Sequence, residues 1–262
     1  MLILIAESKT MTPCDRMIAP EYYTSHCPAL ESEADGIMAA LRDMSAEMLG
    51  QSVKLSLSMV RKLQQMIYEF PNKASGEEAM AAYTGVVFKA FSYQTLDEAS
   101  RELTNDRVRI ISSLYGWLRP DDIIKAYRLD FITPLAPEGS AFSSYWRDSV
   151  TRLLLEELDR QDCRDVLNLL PGDASRCIDW KIIGERADVW KADFKEVYPG
   201  GVMRTPNSGR LKTLRGRLLR QIITENIESP WQLVSLVGDG YIGPDSIDET
   251  GNILFHSVAD RT

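Results

Sequence analysis

Along the chain, short apolar runs alternate with longer stretches in which apolar residues recur every three or four positions. LILIA at residues 2–6 is a β-branched run closed by polar residues, the pattern of an interior strand. With no basic residue ahead of it, this opening run reads as a buried strand rather than a secretion signal. Over residues 31–65 the positions Ile37, Met38, Leu41, Met44, Met48 and Leu49 follow a near-3.6 period and predict helix, with methionine as a flexible core filler. Residues 77–103 predict further helices, interrupted near Gly85 and Phe91.

The second half is richer in strand patterns. DVLNLL from Asp165, ADVWKADFKEVY from Ala187 and NILFHSV from Asn252 carry apolar runs or alternation. Between them, residues 145–158 and 208–225 predict two helices. Without a regular βα repeat, this mixture implies an α+β fold: one mixed-sheet domain over residues 1–262, surrounded by helices. In RIISSLYGWLRPDDIIKAYRLDF, from Arg109, apolar residues precede a tight turn at Tyr115-Gly116, and Pro120 sits where a helix can begin. The stretch predicts a helix-hairpin-helix-like element, with Trp117 either stacking on a base or sugar or, in the favoured reading, serving as a core anchor between the two helices.

Charge changes the picture in one place. The formal net charge is −8, so nucleic acid or an anionic membrane is repelled at long range unless a local basic patch intervenes. No apolar run approaches a membrane span, and a cytoplasmic, monomeric protein without membrane contact is expected. Cys14, Cys27, Cys163 and Cys177 form no CxxC pair, and only His26 and His256 accompany them. Metal-ligand spacing is absent, no cofactor is expected, and the thiols read as free and mostly structural. Arg176 beside Cys177 is the one neighbour expected to lower a thiol pKa.

The exception to the acidic balance is RTPNSGRLKTLRGRLLRQII, from Arg204. It carries Arg204, Arg210, Lys212, Arg215, Arg217 and Arg220, with no acid between Glu196 and Glu225. On a helical wheel Leu211, Leu214, Leu218 and Ile222 share one sector, with Arg217, Arg220 and Lys212 opposite and Arg215 at the border. Asn207 or Ser208 can cap the helix start, which itself carries partial positive charge. A solvated basic face normally intersperses Glu or Asp at i±4; none occurs here, which favours an anionic partner.

MLILIAESKTM, AYTGVVFKAF, SSLYGWLRPDDIIKAYRLDF, SYWRDSVTRLLLEEL and LRGRLLRQIITENIESPWQL together resemble the YaaA family of peroxide-stress-resistance proteins. The resemblance implies a bacterial cytoplasmic protein with an α/β fold that lowers free intracellular iron during hydrogen-peroxide stress. It also implies binding of double-stranded DNA through a positive cleft that includes a helix-hairpin-helix. Carried over by position, it points to Lys9, to Leu114, Tyr115, Gly116, Leu118, Arg119 and Pro120, to Tyr127 and Arg128, and to Lys212, Arg215, Gly216 and Arg220. Three places depart from the family pattern: Ala6-Glu7-Ser8 ahead of Lys9, NLLPGDASR with Asn168 and Asp173, and Thr213 after Lys212.

The expected interface is therefore a cleft for double-stranded or structured DNA built from Lys9, Tyr115, Gly116, Arg119, Arg128, Lys212, Arg215, Arg217 and Arg220. A non-enzymatic role is favoured. The alternative is an enzyme acting on a small phosphorylated or nucleotide-like substrate in a pocket around Lys9, with Glu7, Asn168 and Asp173 nearby. A narrow pocket at Lys9 favours that alternative and an open groove favours a duplex. A third reading is an iron-limiting protein that acts through a partner.

Overall fold

The computed structural model describes residues 1–53, 55–247 and 250–258. Among these lie the strands β1 (Leu2–Ala6), β2 (Arg16–Met17), β3 (Ser75–Glu78), β4 (Val108–Ser112), β5 (Gly116–Leu118) and β6 (Ile123–Ile124). They continue with β7 (Asp165–Asn168), β8 (Asp188–Val197), β9 (Met203–Arg204), β10 (Val237–Gly238), β11 (Tyr241–Ile242) and β12 (Asn252–Val258). The main sheet runs β10-β11-β12-β8-β7-β1-β4-β5, with β9 paired to β8, while β2, β3 and β6 form a small antiparallel sheet. Helices flank a mixed sheet, as the sequence pattern predicts.

β1 lies at the centre, parallel to β4 on one side and β7 on the other, with Ile5 opposite Ile110 and Ile3 opposite Leu167. A parallel strand covered on both faces needs a continuous apolar run rather than alternation, and Leu2 to Ile5 are all buried. β8 alternates instead: Trp190, Ala192 and Phe194 point into the core while Lys191 faces outward. No described helix is long and apolar enough to cross a membrane.

The predicted helical region 31–65 divides into Glu31–Arg42, Ala46–Val53 and Leu57–Glu69. Ser45 causes the first break, since its hydroxyl accepts the Met48 N–H and starts a new helix. The 145–158 helix runs Arg147–Arg160, with a short turn of helix Phe142–Tyr145 before it.

The helix-hairpin-helix expected over 109–131 is not formed; the segment is a β-hairpin, β4 into β5, followed by a loop and β6. β-Branched Ile110 and Ile111 extend the central sheet beside β1. The Ser112 hydroxyl accepts from the Leu114 and Tyr115 N–H groups and turns the chain. Gly116 then adopts φ +66°, where any side chain is strained and would meet the Trp146 ring. Trp117 is a core residue, but of a strand. After it the Asp122 carboxylate accepts the Arg119 N–H at 2.8 Å, so the Pro120 region is a turn.

The basic helix forms as Ser208–Thr224, with Asn207 accepting the Arg210 N–H at 2.9 Å. It buries Leu214, Leu218, Leu219 and Ile222. Gly216 brings it against helix Val86–Phe91, where a Cβ would collide with the Val87 carbonyl oxygen and the Ala90 side chain. This contact sets where both helices begin, and both beginnings face the same hollow.

Candidate anion-binding crevice

From β1 the chain crosses to β4 on one side of the sheet, whereas from β7 it proceeds to β8 on the other. The loops leaving the carboxyl ends of β1 and β7 therefore part, which is where open α/β sheets form a ligand crevice. A cavity of about 470 Å³ occupies that place. Its walls are residues 6–10 after β1, Gly85 to Phe88, Phe131, Pro171 and Asp173 after β7, and Ser208 with Lys212 from the basic helix. The volume lies in the ordinary range for small-ligand sites.

Two of the predicted cations line this cavity, and two more are linked to its wall residues. Lys212 is exposed on the cavity wall and makes no ion pair among the described residues. Lys9, also on the wall, pairs with Asp130 yet keeps 56% of its side chain exposed. Arg128 is tied to the same loop, its Nη1 donating to the Lys9 carbonyl at 2.9 Å. Arg215 is desolvated, which lowers its pKa against the opposing charges of Asp193 and Asp173. Its Nε has no hydrogen-bond partner among the described residues. The first turn of Ser208–Thr224 contains no acid. Cations at a helix start work against its macrodipole, and an anion seated there relieves both.

The floor is a carboxyl. Glu7 Oε2 accepts the Ser113 N–H at 2.8 Å and Oε1 accepts the Ser113 hydroxyl at 2.6 Å. The Tyr127 hydroxyl donates to Oε2. That hydroxyl is shared at 2.7 Å with both Ser112 and Tyr83, making a buried chain of hydroxyl groups. Burial pushes Glu7 up to about 7, and the hydrogen bonds from Ser113 and Tyr127 only partly offset it. Asn168 instead shapes the loop after β7, its side-chain oxygen accepting the Leu170 N–H at 2.9 Å.

The remaining predicted site residues lie elsewhere or are committed to structure. Tyr115 and Gly116 are buried in the hairpin, and the Tyr115 hydroxyl accepts the Lys125 N–H at 3.0 Å. Arg119 borders a different hollow with Asp121, Asp122, Glu157 and Arg160. Arg217 binds Asp239 through its carbonyl at 3.0 Å and its carboxylate at 3.2 Å. Arg220 donates to the Phe91 and Ser92 carbonyls, satisfying the end of helix Val86–Phe91. Burial raises the Cys177 thiol, with Glu7 and Asp173 adding to the effect, so Arg176 does not activate it. A larger cavity of about 650 Å³ near Cys14 has the same balance of signs, Lys62 and Lys125 with Asp15 and Glu69, but neither the loop after β7 nor the basic helix lines it. The Glu7 hydroxyl partners were not readable beforehand, because Ser112, Ser113, Tyr83 and Tyr127 come from separate segments without any shared spacing.

The family model described as peroxide stress protein YaaA matches residues 1–245. The chain belongs to the YaaA family. Its curated relatives include a UPF0246 protein of Parabacteroides distasonis, 29% identical over 97% of this chain and 99% of the relative. Another from Crocosphaera subtropica is 28% identical with the same coverage. A third, from Francisella tularensis subsp. novicida, is 28% identical over 95% of this chain and 97% of its own. In this YaaA-family chain the loop after β1 reads Glu7-Ser8-Lys9, so the crevice floor and one wall cation are two residues apart.

Proposed function

We propose that this YaaA-family protein serves in peroxide stress by binding DNA phosphates in the crevice between β1 and β7. The observation that carries the reading is Lys212, without an ion pair among the described residues, on one cavity wall with Lys9 at an acid-free helix start. Arg119, Arg217 and Arg220 do not join them, and the chain as a whole is acidic. A duplex lying along a long trough is thus less well supported than a local contact. DNA ends, bulges and branches present converging phosphates to one point and fit this better than a smooth linear duplex. The lowering of free iron during peroxide stress that the resemblance implies is part of the same proposal. Among the described residues no group of three His, Cys, Asp or Glu is arranged to hold a metal ion.

The second reading, an enzyme acting on a small phosphorylated or nucleotide-like substrate, is favoured by the cavity size and by Glu7 poised at about 7. Fluorescence anisotropy with branched and linear duplexes of equal length, at ~0.1 M salt, tests the first. The branched duplex should bind more tightly, and Lys9→Glu with Lys212→Glu should weaken it by ~100-fold or more, as loss of two charged contacts requires. Unchanged binding by the double variant removes the crevice from DNA recognition.

A further inference from the structure

An ionised acid at the floor of an anion site works against the ligand, and a protonated one does not. Glu7 and the wall cations Lys9 and Lys212 line one cavity, so a bound phosphate oxygen and the Glu7 carboxyl share one space. Two anions so close in one cavity repel each other. A neutral carboxyl reverses this, since its O–H becomes a donor to the same oxygen. We propose that Glu7 is a ligand-binding residue that acts in its protonated form: a phosphate-bearing ligand enters the crevice together with a proton, and Glu7 donates that proton in a hydrogen bond to it. This rests on the crevice being the phosphate site, and it adds a requirement that the cations alone do not impose.

The surroundings suit the role. Ser113 fixes the carboxyl from the hairpin through two bonds, while Tyr127 and Tyr83 are buried hydroxyls whose own ionisation is pushed well up. They remain neutral donors and can re-aim as Glu7 gains its proton. The other titratable or charged groups around it are Cys177, raised by burial, and Asp173, Lys9 and Lys212 on the walls. None of these cations hydrogen-bonds Glu7; only the neutral donors Ser113 and Tyr127 favour its ionised form, and burial outweighs them. With its own affinity for the proton at about 7, Glu7 is poised so that a ligand's negative charge tips it to the neutral form near pH 7.

Phosphodiesters do not titrate between pH 6 and 8, so they isolate the protein's contribution. Two probes are used, a thymidine dinucleotide and a short branched DNA duplex, and the one that binds identifies the source of the phosphate. Affinity of the binding probe should fall about tenfold from pH 6 to pH 8, the change in proton occupancy of a group near 7. Calorimetry in buffers of different ionisation enthalpy should record proton uptake on binding at pH 8. In Glu7→Gln, which is permanently neutral, both the pH dependence and the uptake should vanish, whereas Asp122→Asn, which alters the other carboxyl near 7, should keep both. Binding without proton uptake by the wild-type protein overturns the role of Glu7 while leaving the crevice as the site. Failure of both probes to bind at pH 6 overturns the crevice reading and this one with it.

Discussion

Glu7 and Glu157 are both buried carboxyls close to cations, and they are held in opposite states. Glu157 is also raised by burial, but Arg160 hydrogen-bonds it at 2.6 Å and the Arg109 charge lies against it, so its pKa ends below the usual range. Gln161 adds a bond at 2.6 Å, and Arg119 stands 3.9 Å away. Glu7 is met by hydroxyls and an amide instead, and rises. Around Glu157 the cations are spent on an internal acid. Around Glu7, Lys212 is exposed without an ion pair among the described residues, whereas Lys9 pairs with the half-buried Asp130 and Arg215 lies in the field of Asp193 and Asp173. Local concentration of positive charge is therefore a poor guide to a binding site; what matters is whether the protein has already supplied the anion.

Substitutions should separate the two regions. The largest effect is expected from Glu157→Gln, which leaves the Arg109 guanidinium, 1% exposed, without its counter-charge. Loss of one partner of a buried pair costs about 3–5 kcal/mol, readable as a lower urea midpoint. DNA affinity of the folded fraction should not change.

Next comes pH. Glu7 binds its proton more tightly in the folded protein (about 7) than at its ordinary value of 4.5, so this contribution to stability is full below pH 4.5. It is lost as pH rises to about 7 and then levels off, a fall on the order of 3 kcal/mol. Denaturation of wild type and Glu7→Gln across this range should show the fall in wild type, with the variant missing the Glu7 share. Asp122 adds a fall of the same sign in both proteins, since burial raises it to about 7 as well.

Gly216→Val should cost about 1–3 kcal/mol by overpacking against the Val87 carbonyl, and should weaken DNA binding by displacing the start of the basic helix. The smallest change is expected for Arg119→Ala: the half-exposed guanidinium stands 3.9 Å from a Glu157 already held by other donors, so its loss should cost ~1 kcal/mol or less, and DNA affinity should shift less than about threefold. A large loss of DNA binding there would return the hairpin to the interface.

Much of the fold was legible because its signals are local. LILIA, the β8 alternation and the amphipathic Ser208–Thr224 helix each declare their period within a few residues. The hairpin at Gly116 was misread because RIISSLYGWL carries an apolar run too short to distinguish helix from strand by period. Its fate is decided by pairing with β1, a strand some hundred positions away in the chain. The same limit applies to the site. Lys9 and Lys212 carry a visible charge signal and line one crevice, with Arg128 bonded to the Lys9 carbonyl and Arg215 in the field of Asp173. Arg217 and Arg220 carry the same signal, but a loop at Asp239 and the end of helix Val86–Phe91 claim them. Nothing in the basic helix itself foretells either acceptor.

The dependence of DNA affinity on salt tests the central claim most directly. Two cations lining the crevice and two linked to its wall predict a slope of log K against log salt no steeper than about −3.6, whereas all seven predicted cations acting as one trough require about −6.3. A slope near the smaller value, reduced further by about one in Lys212→Ala, is the expected result. A slope near −6, or one that Lys212→Ala leaves unchanged, contradicts it.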